Sequence, residues 1–471
     1  MPIGPFDRRK KRSRCFACAA SHLKCSGSFP CNNCQKKRVS CTFEKQKPDR
    51  IRIDYAESGK KSNREAVPIL LRSSAPQLSI SPSAVHTYYL SHYFDTFLKR
   101  NTINPHTKVS IDVVQLMKDQ VSGDFLHHAV LSIGAMQAVK LNSSEGISSI
   151  KAYNLAVGHY SKSVQGLRQA LDQYNQLTSS LHCVLWTTYL LGLFELMTDA
   201  SGAGWVQHLV HGTSKALIAA GPSVCQSTLG RRFFTEIRVF EACRSIIFNE
   251  PTFLANPDWK RTIAQIQNDS HSDIYGLNVL LDIVVSCSTL RVRVRQMLYS
   301  SDVQTQSGND TPDSADDIAL EGFRLRQCLI DWEATTPSPE SQKLLYDDAD
   351  ARSFCLLART FFAATSIYLS GVFDYEMSYW HSMNIVPAVL SEEEIQGHVI
   401  DILNHTNTIL YQSSISPLLV LFPLRVAGAR SWFKWQQDCI MQSLVAVEST
   451  FPVAAAFRDD LQGVWGRRST Y

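Results

Sequence analysis

Six of the chain's 13 cysteines fall between residues 15 and 41, at spacings suited to metal binding. The segment contains two Cys-x2-Cys pairs, each followed after six residues by a further cysteine, and its members are Cys15, Cys18, Cys25, Cys31, Cys34 and Cys41. A Cys-x2-Cys pair at the start of a short helix can direct two thiolates at one metal ion. We recognise no secretory signal segment, so we expect reduced cysteines and a zinc centre rather than a disulfide knot.

The number of thiolates constrains the metal count. Six thiolates complete two tetrahedral zinc sites only if two of them bridge the ions. The internal duplication makes Cys15 and Cys31 equivalent, and it predicts them as the bridging pair. Structural zinc contributes about 10–16 kcal/mol to folding, which is enough to hold a segment this short. We therefore expect two zinc ions per chain as the cofactor.

The cysteine region is also strongly basic. Residues 1–50 carry a net charge of +10, whereas the other 421 residues carry −6. Basic side chains that neutralise phosphates supply affinity for nucleic acid of any sequence. Residues 8–12 have the composition of a nuclear localisation signal, so we expect a nuclear protein; the alternative is a solubilising tail. The candidate phosphate contacts are Arg12, Arg14, Lys36, Lys37 and Arg38.

This cysteine pattern, with Pro30 before the fourth cysteine, resembles the fungal zinc binuclear cluster (Zn2Cys6) transcription factors. The resemblance implies that Cys15, Cys18, Cys25 and Cys31 hold one zinc ion, and that Cys31, Cys34, Cys41 and Cys15 hold the other. It also implies that the short helix after Cys18 enters the DNA major groove and reads CGG-like triplets, with dimerisation setting the half-site spacing. Such proteins regulate genes transcribed by RNA polymerase II, so double-stranded DNA and the transcription machinery are the implied partners.

The recognition helix departs from the common pattern of this family at two positions. Ala19 and His22 stand where most members carry Arg and Lys, whereas Lys24 fits the usual basic pattern. A neutral imidazole donates one hydrogen bond to guanine N7 or O6 but carries no permanent charge. The candidate DNA contacts on this helix are Ser21, His22 and Lys24; His22 is the candidate base-reading side chain, and we expect Lys24 to contact a phosphate. Ala19 and Ser21 are similar to those of regulators of secondary-metabolite gene clusters, which suggests this role for the chain.

Three regions differ in composition and predict the elements that carry this site. Residues 1–45 form the Zn2Cys6 DNA-binding domain with its basic arm, and residues 46–82, rich in Lys, Ser and Pro, predict a flexible linker. Residues 83–471 predict a large all-α regulatory domain with a mobile loop at about 300–317. Apolar residues recur at helical spacing, and residues 181–197 are apolar nearly all round, as in a helix at the centre of a bundle. The helix-face positions are Leu90, Tyr93, Phe94, Phe97 and Leu98, then Leu126, Ala129, Val130, Ile133 and Met136.

The helical region also resembles the fungal-specific transcription factor domain, through a few short motifs. Tyr153, Ala156, His159 and Tyr160 fit one helix of that domain. Residues 191–195, Trp205, His208, Leu209 and Gly212 fit a second section, which closes at Gly221-Pro222. We interpret Trp205 and His208 as core packing, because burial of tryptophan explains their types without a ligand.

Other features restrict the function classes. No nucleophile elbow, P-loop, zinc-protease or dinucleotide motif occurs, so we expect no enzyme. Residues 181–197 are interrupted by polar residues, so we expect no membrane span. We expect His127 and His128 not to share a metal, and the seven cysteines beyond residue 45 to be buried in apolar packing. The helical region is the candidate site for homodimerisation and for a small effector; the alternative function is an effector-binding sensor with weak DNA binding.

Overall fold

The computed structural model describes residues 31–37, 82–104, 107–118, 124–141, 148–172, 181–201, 212–269, 276–299, 314–336 and 349–468. The chain divides into two compact units at residues 80 and 81, and residues 31–37 are the described part of the first. From residue 82 onward the described residues form helices and connecting segments, which we call the helical body. Its one β-bridge is isolated and joins Thr102 to Ile415 in parallel.

The helices are numbered in chain order within the described residues. They are α1 (Asn32–Lys37), α2 (Pro82–Arg100), α3 (Val109–Lys118), α4 (Phe125–Lys140), α5 (Ser149–Asp172), α6 (Leu181–Thr198), α7 (Ser214–Ala220), α8 (Thr228–Phe248), α9 (Pro257–Asp269), α10 (Leu277–Tyr299), α11 (Ala315–Thr335), α12 (Ala349–Asp374), α13 (Met377–Ser382), α14 (Glu392–Gln412), α15 (Leu421–Arg430), α16 (Lys434–Glu448) and α17 (Ala454–Arg468). Short 3-10 helices occupy Pro222–Gln226, Phe253–Ala255 and Pro417–Val420.

The predicted apolar faces pack into one continuous core. On α2, Leu90, Phe94 and Phe97 are buried, and α4 buries its predicted face against α2, α5 and α6. Helices α2 and α4 approach closely at Gly134 of α4, where a Cβ atom would lie 1.9 Å from the Leu90 carbonyl oxygen. The absence of a side chain at this position therefore lets α2 and α4 cross in main-chain contact. In the second half of the helical body, α12 packs against α10, α14 and α15.

Among the helices that the structure describes, two are long and apolar enough to cross a membrane by length and composition alone, Leu181–Thr198 and Arg352–Asp374. Of these two windows, 78% and 83% of the residues are buried inside the helical body. Helix α6 corresponds to the first window, and its buried positions lie on every side of the helix. The prediction of a central bundle helix over residues 181–197 is therefore confirmed, and burial in the core accounts for its apolar composition.

Helix α8 carries buried charges through the middle of the core. Arg244 pairs with Glu241 at 2.7 Å and also donates to the Pro251 carbonyl oxygen at 2.8 Å. The hydroxyls of Ser214 and Thr252 each donate to the Glu241 carboxylate at 2.8 Å. Because Glu241, Ser214 and Thr252 are themselves buried, these bonds satisfy charges that would otherwise be costly in an apolar interior.

Two predictions are corrected by the described residues. The loop predicted at 300–317 ends earlier, because α11 begins at Ala315 with Ser314 as its N-cap and acidic residues in its first turn; residues 300–313 lie outside the described residues. The prediction that the cysteines beyond residue 45 are all buried was wrong for Cys439, which is exposed, and for Cys328, which is half-buried. Cys439 lies beside Ile440 on α16, off the helix face that packs inward.

Candidate metal centre and nucleic-acid interface

The described part of the cysteine region is the second Cys-x2-Cys pair with the short helix that follows it. Cys31 precedes α1 and Cys34 lies within it, and both side chains are buried. The backbone N–H of Gln35 donates to the Cys31 carbonyl oxygen at 3.0 Å and so closes the first helical turn. The backbone N–H of Cys34 donates to Cys31 Sγ at 3.4 Å. This turn places the Cys31 sulfur at the start of the helix, within reach of the Cys34 N–H.

This geometry fits the ligand set of a thiolate zinc site. A zinc ligand must be the deprotonated thiolate, and N–H groups at a helix start stabilise the negative charge on sulfur. Residues three apart on a helix lie on one face, so Cys31 and Cys34 can reach the same ion. The remaining predicted ligands, Cys15, Cys18, Cys25 and Cys41, lie outside the described residues, and no group of three or more metal-binding side chains occurs within the described ranges.

Two of the predicted phosphate contacts lie on the same helix. Lys36 and Lys37 occupy the last turn of α1, and both are exposed. Their positive charges complement the carbonyl end of the helix and are available to solvent. The other predicted DNA contacts lie outside the described residues, and they are Arg12, Arg14, Ser21, His22, Lys24 and Arg38. The structure therefore places two lysines next to one half of the predicted metal centre.

In the helical body, the motif residues of α5 make packing contacts that sequence spacing did not reveal. His159 Nδ1 lies 3.1 Å from His128 Nδ1 on α4, so one ring donates to the other. Burial lowers the pKa of His159 to about 4, and the charges of His128 and Lys162 act in the same direction. Burial also lowers the pKa of His128, so both rings favour the neutral form at neutral pH. They join α4 to α5, and the described residues offer no third ligand that would complete a metal site.

The neighbouring motif residues are structural as well. Tyr160 donates its hydroxyl to the Glu195 carboxylate and stacks on Phe194, with ring centroids 4.7 Å apart. Ala156 is fully buried, whereas Tyr153 is half exposed. The predicted closure at Gly221-Pro222 is confirmed, since α7 ends at Ala220 and Gly221 adopts a positive φ of 73°. Trp205, His208 and Leu209 lie outside the described residues.

A groove in the helical body was not predicted from the sequence. It has a volume of about 620 Å³ and lies between α10 and α11, with Val279, Ile283 and Trp332 among its apolar lining. The charged side chains of its lining have partners: Asp282 accepts from Arg238 at 2.5 Å, Arg324 donates to a glutamate on its own helix, and Asp331 accepts from the Gln327 amide at 2.8 Å. The groove is thus an apolar cavity with satisfied polar edges, a composition common in small-molecule sites.

Two family models match the chain. The fungal Zn(2)-Cys(6) binuclear cluster domain matches residues 13–50, which include Cys31, Cys34, Lys36 and Lys37. The fungal specific transcription factor domain matches residues 88–471, which cover nearly all of the helical body. No curated protein and no solved structure matches the chain significantly. A zinc-binding cysteine cluster joined to this helical domain defines the function class, and the chain therefore belongs to the fungal zinc-cluster transcription factors, which bind DNA.

Proposed function

We propose that the protein is a nuclear, sequence-specific regulator of RNA polymerase II genes that reads CGG-like triplets. The Cys31–Cys34 turn carries this proposal, because two buried sulfur atoms share one face beside exposed lysines. A helix anchored by thiolates presents its other faces to a partner, as DNA-reading zinc modules do. We assign no enzymatic activity to the chain.

The proposed metal centre holds two zinc ions. Cys15 and Cys31 would be shared by the two ions, and each ion would take two further thiolates from its own half of the duplicated pattern. When bound, zinc supplies the cross-links that a segment with few apolar residues lacks. Cys31 and Cys34 support this arrangement, since the N–H bond to Cys31 favours its thiolate form.

Base recognition is assigned to the first half of the cluster and phosphate recognition to both halves. Ser21 and His22 would contact base edges in the major groove, while Lys24 in the first half and Lys36 and Lys37 in the second would contact phosphates. The domains are taken as residues 1–45, 46–82 and 83–471. Homodimerisation would occur through the helical body, because residues 46–82 contain no heptad pattern for a coiled coil. The targets we propose are genes of a secondary-metabolite cluster.

Fluorescence anisotropy with the full-length protein tests this proposal. A labelled duplex with a CGG triplet is compared with a scrambled duplex across a salt series. We expect tighter binding to the CGG duplex, and we expect Lys36→Ala to weaken binding to both while lowering the salt slope by about 0.9. Lys434→Ala removes an exposed lysine from the helical body and serves as the matched control. Equal affinity for both duplexes would contradict triplet recognition.

The alternative function, an effector-binding sensor, is supported by the groove between α10 and α11. Its volume of about 620 Å³ lies within the range of about 300–1,000 Å³ that small-molecule sites occupy. Thermal-shift screening of the full-length protein against small molecules tests this function, with Val279→Trp as the variant that fills the groove. A stabilising compound whose effect survives Val279→Trp would place its binding elsewhere.

A further inference from the structure

A second, smaller cavity lies where the C-terminal end of α8 meets α10, α12 and α15. Its volume is about 120 Å³, and three arginines from two of these helices line it: Arg291, Arg425 and Arg430. No carboxylate is among the residues that line the cavity in the described part of the chain. A site of this size holds a small polar group rather than a drug-sized molecule.

The three guanidinium groups are only partly neutralised by their surroundings. Arg430 pairs with Asp374, and Arg425 lies 3.1 Å from Asp460. Arg291 instead donates to the main-chain oxygen of Val372 at 3.1 Å, and it forms no ion pair with any residue that the structure describes. Three positive charges therefore face two negative ones, and the cavity retains one positive charge in excess.

Tyr368 lies at the wall of the cavity, close to the same arginines. Its hydroxyl donates to Asn249 Oδ1 at 2.8 Å at the wall of the cavity. Burial raises the pKa of Tyr368, while the positive charges of Arg291, Arg425 and Arg295 act in the opposite direction. The hydroxyl keeps its proton and donates it to Asn249, so Tyr368 forms a neutral polar part of the wall beside the arginines.

Gly371 on α12 and Tyr375, directly after this helix, determine the free space in the cavity and its access to solvent. Gly371 lines the cavity, and a Cβ atom there would lie 3.5 Å from Arg430 Nη2, so a side chain would narrow the space in front of that guanidinium. Tyr375 also lines the cavity and is 55% exposed, which leaves the cavity open to solvent on its side. The Arg430 guanidinium lies over the Tyr375 ring, 4.6 Å from its centroid, and is thereby held in position.

We infer that this cavity binds the oxyanion group of a small molecule, a phosphate or a carboxylate, between Arg291, Arg425 and Arg430. Guanidinium groups bind both anions through paired N–H donors, and they do so most strongly where water is partly excluded. The cavity admits the anionic group, and the rest of such a molecule would extend past Tyr375. The ligand would connect α10, α12 and α15, so its binding would stabilise the helical body.

Isothermal titration calorimetry of the full-length protein tests the inference, with inorganic phosphate and acetate titrated separately at matched ionic strength. Saturable binding of either anion is expected, and the stronger of the two identifies the chemistry of the ligand. Arg291→Gln should weaken binding about tenfold, which corresponds to about 1.4 kcal/mol. Arg261→Gln is the matched control, because Arg261 is a solvent-exposed arginine on α9 outside the cavity. It should leave binding unchanged.

A second variant covers the case in which Arg291→Gln fails to fold. Ala429 lines the cavity on α15 and is half-buried, so Ala429→Glu would place a carboxylate among the arginines. This variant should abolish anion binding and raise the melting temperature without added anion, whereas Ala429→Gln should not raise it. The inference would be overturned if no saturable binding were found. It would also be overturned if binding survived both Arg291→Gln and Ala429→Glu, because the anion would then bind to the basic arm. DNA binding is not the readout, so either outcome leaves the proposed function unaffected.

Discussion

The carboxyl group of Glu236 makes a specific pH dependence of stability testable. It lies on α8 with 3% of the residue exposed, and it accepts hydrogen bonds from Thr107 Oγ1 at 2.6 Å and from the Tyr189 hydroxyl at 3.1 Å. Burial raises the pKa of Glu236 from 4.5 to about 7. The two hydrogen bonds act in the opposite direction, and the negative charge of Asp112 adds to the rise.

The direction of the pH dependence follows from the pKa of Glu236 in the unfolded chain, 4.5, and in the folded protein, about 7. The folded state binds this proton more tightly than the unfolded state, so the carboxyl group contributes its full stability below about pH 4.5. That contribution is lost as the pH rises through about 7. At 1.36 kcal/mol per pKa unit, the loss amounts to about 3 kcal/mol above pH 8.

Glu236→Gln removes the titration while it keeps the shape of the side chain. The Thr107 hydroxyl also lies 3.1 Å from the Asn104 carbonyl oxygen, so it can donate there and accept from the new amide. We expect the variant to exceed the native protein by about 3 kcal/mol in unfolding free energy at pH 8, and by less than about 1 kcal/mol at pH 5. Urea unfolding at both pH values, followed by circular dichroism, measures the difference.

Glu393→Gln is the control for the loss of one carboxylate. Glu393 is exposed in the first turn of α14, so this substitution should change the unfolding free energy by no more than about 0.5 kcal/mol at either pH. If Glu236→Gln were destabilising to the same extent at pH 5 and pH 8, the carboxyl group would be ionised and held by its hydrogen bonds. That result would refute the reasoning from burial.

Three further predictions concern packing, thiol reactivity and metal. Gly134→Ala should destabilise the protein by about 3 kcal/mol or more in urea unfolding, because its Cβ would meet main-chain oxygen, whereas Gly397→Ala, with open space around it, should stabilise by about 0.5–1 kcal/mol. Cys439 should react with iodoacetamide before Cys225 in a mass-spectrometric time course, since burial raises the pKa of the Cys225 thiol to about 12; equal rates would contradict the assigned exposure. Cys31→Ser should reduce zinc in the full-length protein from two ions toward none by elemental analysis, and the loss of a single ion would show that Cys31 does not bridge.

Periodicity and spacing predicted the local elements well. Apolar positions such as Leu90, Phe94 and Ile133 are buried as their helical spacing indicates, because one helix face must meet the core whatever the fold around it. The same reasoning identified the Cys31–Cys34 turn, since residues three apart share a face in any short helix. The ends of helices were harder to predict than their apolar faces. The helix that starts after Ser314 begins within a polar stretch that composition alone assigned to a loop.

Contacts between distant segments could not be read from spacing. His128 and His159 belong to different helices and meet only because α4 packs on α5. The raised pKa of Glu236 likewise depends on which helices surround α8, and the exposure of Cys439 depends on which face of α16 packs inward. Propensity and hydrophobicity describe one residue and its neighbours along the chain, so they carry no information about these partners.

The sequence by itself determined the class of the protein, because six cysteines at duplicated spacing identify the zinc-cluster family. It also determined that the body is helical, through apolar periodicity over hundreds of residues. Only the tertiary structure decided which charged side chains line a common cavity. Arg291 and Arg430 are more than a hundred positions apart, and they line one cavity because α10, α12 and α15 pack together there. Helix packing sets such distances through side-chain fit across many elements, and no single segment of the sequence contains that fit.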